Sequence, residues 1–267
     1  MSAPATPWLR RFHPGAPGAV RLFVFPHAGG NASFFHPFSA RLAPRAEVLV
    51  VQYPGRQERF HEPCVEDLHE LADTVAAELA EWAEEGPFAL FGHSMGATLA
   101  FEVGSRLHTA GARPSALFVS GRRAPSVPAP GSVHLASDEK LIADMKLLGG
   151  TDTRMLENPE LLAAILPAVR SDYVATETYR YRGAPPLDCP VTAFIGDVDP
   201  RVDAPMTRAW AAHTTEGFAL HVFEGGHFFL VPHLDAVVEI VHQELTIPVS
   251  AAAPFRIPEP KPRRGLP

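Results

Sequence analysis

Residues 87–96 read PFALFGHSMG, an apolar run followed by a serine set between two glycines. The run at 88–91 spells a buried strand and the small-residue stretch at 97–107 spells a helix, so the chain turns from strand to helix at Ser94. The spelling matches the GxSxG nucleophile elbow. Its glycines have a steric reason. An abrupt strand-to-helix turn strains the serine backbone and presses it against its neighbours, and Gly92 and Gly96 remove the side chains that would collide there.

Working outward, strands alternate with helices on both sides of the elbow. Residues 20–25 are apolar apart from one arginine and lead into PHAGGNAS, while 47–52 form a second apolar run that ends in YPGR, a turn signal. From Val65, the apolar positions Leu68, Leu71, Ala72, Val75, Ala76, Leu79, Trp82 and Ala83 recur at spacings of three and four, an amphipathic helix stopped by Gly86 and Pro87. A strand at 116–119 leads into SGRRAP. After a long interval, strands at 191–195 and 218–223 resume, separated by a helix at 204–212 and followed by one built on Leu234, Val237, Val238, Val241 and Leu245. This order predicts an α/β protein with a mostly parallel central sheet flanked by helices and joined by right-handed crossovers.

Residues 122–186 break the rhythm: they contain no strand pattern and exceed an ordinary connection. Ser137 precedes a helical pattern with Leu141, Ile142, Met145 and Leu148 on one side. A second helix starts with Asn158 as cap and Pro159 at its first position, and Pro167 is expected to kink or restart it. Small amphipathic helices inserted above the C-terminal strand ends predict a lid over a cavity, with Leu141, Met145 and Leu148 available to line it. One domain is expected over residues 1–247, followed by a flexible Pro-rich tail over 248–267.

Composition narrows the setting. The chain has 267 residues, 46% of them hydrophobic, enough for a sizeable core. A net charge of −7 argues against non-specific nucleic-acid binding. The first residues, MSAPATPWLRR, carry no apolar stretch that would indicate a secretory signal, no run approaches the ~18 consecutive apolar residues of a membrane helix, and the two cysteines, Cys64 and Cys189, form no disulfide or metal framework, so a cytoplasmic location is expected.

A serine hydroxyl needs a base, and the base needs an orienting acid. Elbow hydrolases order these groups as serine, acid, histidine, each at the C-terminal end of a strand. His227 lies four residues beyond the strand that ends at Phe223, in a Gly-Gly loop, and is the expected general base. The acid comes from the loop after Ile195, which holds Asp197, Asp199 and Asp203. Asp199 is preferred for its reach across the sheet edge; Asp197 suits a turn cap and Asp203 a helix start. His93, beside the serine, is expected to point away and pack. Two backbone amides would receive an oxyanion, that of Met95 after the nucleophile and that of Ala28 in PHAGG.

With FPHAGG, YPGR, FGHSMG, SGRRAP, LGGT, ETYR, GDVDP and GGHFFL in order, residues 8–245 resemble the type II thioesterases. These are stand-alone α/β-hydrolases that accompany polyketide synthases and nonribosomal peptide synthetases. The resemblance implies an α/β-hydrolase fold with a helical lid. It implies hydrolysis of stalled or aberrant acyl groups from the phosphopantetheine arm of acyl or peptidyl carrier proteins, with no metal or cofactor. It assigns Ser94 as nucleophile, Asp199 as acid, His227 as base, and the Ala28 and Met95 amides as oxyanion donors. Carrier proteins in such systems are usually acidic, as this chain is, so docking calls for a local basic patch, for which Arg122 and Arg123 are the candidates. The competing readings are a hydrolase of small esters or coenzyme A thioesters, and a silent acyl-carrier binding protein.

Overall fold

The computed structural model describes residues 6–128, 131–150 and 156–246. The expected tail over 248–267 and Thr151 of the LGGT motif lie outside the described residues. The strands are β1 (Leu9–Arg10), β2 (Val20–Phe25), β3 (Ala46–Val51), β4 (Phe88–His93), β5 (Leu117–Ser120), β6 (Val191–Gly196) and β7 (Phe218–Phe223). They form a seven-stranded sheet in the order β1-β3-β2-β4-β5-β6-β7. Among the described residues, only β1 runs antiparallel, against β3. It is too short to carry a pattern, and the sequence shows no sign of it.

Alternate residues of the central strands feed two cores. Phe23, Phe25, Leu49, Val51, Leu90 and Val119 face one side and pack with helices α2 (Leu68–Glu84) and α3 (Met95–Thr109). Leu22, Val24, Val48, Val50, Phe91 and Phe118 face the other, against α1 (His36–Leu42) and the C-terminal helix α7 (Leu234–Thr246). A strand buried on both faces has no polar side to show, which is why these runs read as continuous apolar stretches. Helix α1 was not legible, because a seven-residue helix opening on His-Pro offers barely two turns of periodicity. The amphipathic helix begins at Leu68 rather than Val65, where Asp67 caps it by accepting from the His69 and Glu70 amides.

After β3 the chain returns through α2 to the far side of β2, so β4 pairs with β2 and the strand order reverses there. Loops that leave neighbouring strands in opposite directions open a crevice at their carboxyl ends. The loop after β2 and the elbow after β4 flank it.

Between β5 and β6 lie α4 (Asp138–Leu148) and α5 (Pro159–Thr178). Pro167 neither ends nor restarts α5: Leu162, Ile165 and Leu166 before it, and Val169 and Tyr173 after it, join one cluster with Leu141, Met145 and Leu156. That packing overrides the ~3 kcal/mol cost of an internal proline. The helix expected at 204–212 is an α-turn, α6 (Ala204–Arg208), continued as a 3-10 helix over Ala209–His213. Among the described residues, no helix is long and apolar enough to cross a membrane.

Candidate active site

Ser94 sits at φ 55° and ψ −118°, and with Gln57 it is one of two non-glycine residues at positive φ among the described residues. Such a conformation costs of the order of 1–3 kcal/mol and persists only where the surroundings impose it. Here they do. A Cβ on Gly92 would lie 2.1 Å from the Gly96 carbonyl oxygen, and one on Gly96 would lie 2.0 Å from that of Phe25. The Ser94 amide donates to the Ser120 carbonyl at 2.8 Å, which ties the elbow to the end of β5.

Three side chains from three loops converge on this turn. His227 Nδ1 lies 2.7 Å from Asp199 Oδ2, and its Nε2 lies 2.9 Å from Ser94 Oγ. An ionised carboxylate can only accept, so Nδ1 carries the proton and donates to Asp199, and Nε2 is free to accept from the serine hydroxyl. The His227 and Asp199 side chains are 3% and 0% exposed. Asp199 Oδ1 also accepts from the Arg201 amide at 2.8 Å. The other two aspartates are occupied elsewhere: Asp197 accepts from the Gly225 amide at 2.8 Å, and Asp203 caps α6 through the Met206 amide at 2.8 Å.

Two further imidazoles crowd the site. His93 is fully buried with Nδ1 2.9 Å from Ser120 Oγ, and burial, then the neighbouring His227 and His27, drive its pKa well below the usual histidine range. Burial, with His227 and Arg56 behind it, pushes His27 down to about 3. Both therefore stay neutral at working pH and place no charge against His227.

Ala28 lies in the loop after β2 and Met95 at the first position of α3. Among the described residues, neither amide donates to a protein acceptor. Ser94, His227 and Ala28 open into a cavity of about 130 Å³, partly continuous with solvent, whose walls include Met145, Leu148, Tyr173 and Phe228. Of the three apolar residues expected to line it, Met145 and Leu148 do so. Leu141 does not: it is fully buried, packed with Met145, Val169 and Tyr173 behind the wall. Arg122 and Arg123 lie on the cavity wall together with Arg201. Arg122 Nε donates to Thr98 Oγ1 at 2.8 Å, and burial, reinforced by Arg123 and Arg201, pushes its guanidinium down to about 9.

Two residues at the edge of the site escaped the sequence reading. Arg56 of YPGR, read only as a turn, forms a buried ion pair with Asp172 of α5. Nothing in their spacing links positions 56 and 172. The one available signal was a charged residue on the apolar side of an inserted helix.

A parallel sheet with a strand-end serine, a histidine beyond the last strand and an intervening aspartate defines an α/β-hydrolase. The family described as the thioesterase domain matches residues 20–245, and the chain belongs to this thioesterase family, hydrolases that act on thioesters. It is 50% identical over 241 residues to a probable cadicidin biosynthesis thioesterase of Streptomyces griseus, covering 90% of this chain and 66% of that protein. It is likewise 50% identical over 224 residues to the thioesterase PikA5 of Streptomyces venezuelae, covering 84% of this chain and 80% of the relative. Among solved structures, the type II thioesterase BorB from the borrelidin biosynthetic cluster superposes with a TM-score of 0.85 at 48% identity, covering 91% of this chain and 100% of that one. The RedJ thioesterase of the prodiginine pathway in Streptomyces coelicolor gives 0.81 at 39% identity, covering 91% and 90%.

Proposed function

We propose that the protein hydrolyses acyl thioesters carried on the phosphopantetheine arm of carrier proteins, clearing stalled or aberrant acyl groups from polyketide or nonribosomal peptide assembly lines. Ser94 is the nucleophile, His227 the base and Asp199 its orienting acid. The observation that carries this reading is the hydrogen-bonded chain from Asp199 through His227 to Ser94, 2.7 and 2.9 Å long, on the lining of a cavity. The similarity to type II thioesterases of such pathways supports the choice of substrate.

The chemistry follows from the geometry. His227 Nε2 takes the Ser94 proton as Oγ attacks the thioester carbonyl, and the developing oxyanion meets the amides of Ala28 and Met95. Collapse breaks the C–S bond. The leaving thiol, with a reference pKa of about 8.5, needs less help from the imidazolium than an amine would. Water, deprotonated by His227, then attacks the acyl-serine, and the carboxylic acid leaves with Ser94 restored. Met145, Leu148 and Phe228 supply apolar contact for the acyl chain. Arg122 and Arg123 bring positive charge to the wall near the arm, whose phosphate and acidic carrier are negative.

The test compares turnover of an acylated carrier protein, an acyl-coenzyme A and a simple aryl ester by the wild type and by Ser94→Ala. Ser94→Ala is expected to lose at least about a thousand-fold on every substrate, with the carrier-borne acyl group the preferred substrate of the wild type. Equal turnover by the variant refutes the serine mechanism, and preference for the aryl ester refutes the thioester assignment.

A further inference from the structure

The loop that carries the Ala28 amide is held by contacts that the hydrolytic steps do not use. Its sequence, PHAGGNA over 26–32, puts small residues at its centre, so its position depends on what grips its backbone. At its ends, the Tyr53 hydroxyl donates to the Pro26 carbonyl at 3.0 Å and the Ala32 amide donates to Gln52 Oε1 at 2.8 Å. At its centre, the Gly29 amide donates to Asp172 Oδ2 at 2.7 Å, and Arg56 Nη1 donates to the Gly30 carbonyl at 3.1 Å. These two grips are one unit. Arg56 donates through Nη1 to Asp172 Oδ2 at 2.6 Å and through Nη2 to Oδ1 at 2.9 Å, a planar fork, while its Nε donates to the Pro54 carbonyl at 3.1 Å. The two side chains are 9% and 4% exposed. Behind Gly29 the fit is tight, since a Cβ there would come within 2.8 Å of Val169 Cγ2 on the same helix as Asp172.

A buried ion pair is a weak source of stability, because desolvation offsets the Coulomb attraction, so its value lies in what it holds. We infer that Arg56 and Asp172 are positioning residues that clamp Gly29 and Gly30 and thereby aim the adjacent Ala28 amide at the oxyanion. This rests on the reading of Ser94 as nucleophile and of the Ala28 amide as oxyanion donor. Because Asp172 belongs to α5, the clamp also ties the oxyanion loop to the helical layer that walls the cavity. The oxyanion site is thus assembled from the sheet and the inserted helices together. The sequence gives it away only after folding, through two residues that never touch the substrate.

The test uses the full chain carrying Arg56→Lys, Asp172→Asn, or Arg56→Met with Asp172→Leu. The double variant leaves no buried charge uncompensated, so it keeps the question open to measurement if a single variant fails to fold. Hydrolysis of an acyl-pantetheine thioester is measured per active site counted by acyl-enzyme burst. Binding is measured for two analogues: a trifluoromethyl ketone, which adds Ser94 Oγ to its carbonyl and generates the oxyanion, and the unreactive amide isostere of the substrate. Each folded variant is expected to lose about 10- to 100-fold in kcat with KM changed by less than about threefold. Affinity for the ketone is expected to fall in step with kcat while affinity for the amide holds. A folded double variant with kcat per site within about twofold of wild type overturns the inference, as does a parallel loss of ketone and amide binding. If the ketone bound wild type and Ser94→Ala equally, the nucleophile assignment beneath the clamp would fail; tight binding by wild type with unaffected clamp variants overturns the clamp alone.

Discussion

Ser94 owes the placement of its hydroxyl to a backbone that few residues tolerate, and the residues that enforce it are the two glycines whose missing side chains let the elbow close. At this scale the choice among three aspartates has a direct test. Asp199→Asn is expected to lower kcat about 10⁴-fold, because the amide can no longer hold His227 in the tautomer that leaves Nε2 unprotonated. Asp197→Asn keeps an acceptor for the Gly225 amide and is expected to leave kcat within about threefold. Steady-state rates of the two variants on one acyl thioester decide it; equal losses would refute the assignment.

The neutral imidazoles also have a residue-scale consequence. His27 titrates at about 3 in the folded chain against an ordinary 6.5, and His93, His213 and His221 are lowered too, all chiefly by burial. Below pH 6.5 the unfolded chain takes up protons that the folded chain refuses, so stability falls as pH falls. The loss from His27 alone is roughly 1.4 kcal/mol per pH unit between about pH 6 and 4, and stability is regained as pH rises through the unfolded value. Urea midpoints between pH 7 and 5 should drop accordingly, and less steeply in His27→Gln. A flat profile would contradict the buried neutral imidazole.

At the scale of elements, the inserted helices divide their apolar side chains between structure and site. Leu141 is sealed in the cluster with Met145, Val169 and Tyr173, while Leu148, two turns further along α4, reaches the cavity. Leu141→Ala is therefore expected to cost about 2–5 kcal/mol of stability. Leu148→Ala should cost less and should instead shift the ratio of kcat/KM between long and short acyl chains. Thermal melts beside a chain-length series check both. The sequence pattern put both leucines on one helical stripe and could not separate them, because a 3.6-residue period marks the apolar side of a helix and does not say what covers each part of it.

Other elements were legible to different depths. The strands of the double core announced themselves as apolar runs, and the candidates Ser94 and His227, with a loop of three aspartates for the acid, followed from where those runs stop. α1 and β1 are too short to repeat a pattern. Pro167 misleads because local propensity argues for a break, whereas the packing of Leu162 to Tyr173 on one cluster keeps α5 whole.

At the scale of the whole molecule, a net charge of −7 coexists with Arg122, Arg123 and Arg201 lining one cavity, where Arg201 is paired with Asp144 and Glu177 is the acidic neighbour of the other two. If these attract the phosphopantetheine arm and its acidic carrier, kcat/KM for carrier-borne acyl groups should fall with added salt more steeply than for acyl-pantetheine. Arg123→Glu should lower the carrier reaction about 10-fold or more while the free thioester changes little. Equal effects on both substrates would dismiss the electrostatic role.

The chain's own order of residues determined the alternation of strands and helices, the elbow, and the candidates for nucleophile, acid and base, because each is written in a local period or at the end of one. Only the tertiary structure decided that Asp199 rather than Asp197 faces His227, that Leu141 lies behind the cavity wall, and that Arg56 meets Asp172. The physical reason is range. Hydrophobic period and turn chemistry act over a few neighbouring residues, whereas a buried ion pair 116 positions apart exists only once the sheet and the inserted helices have closed on each other.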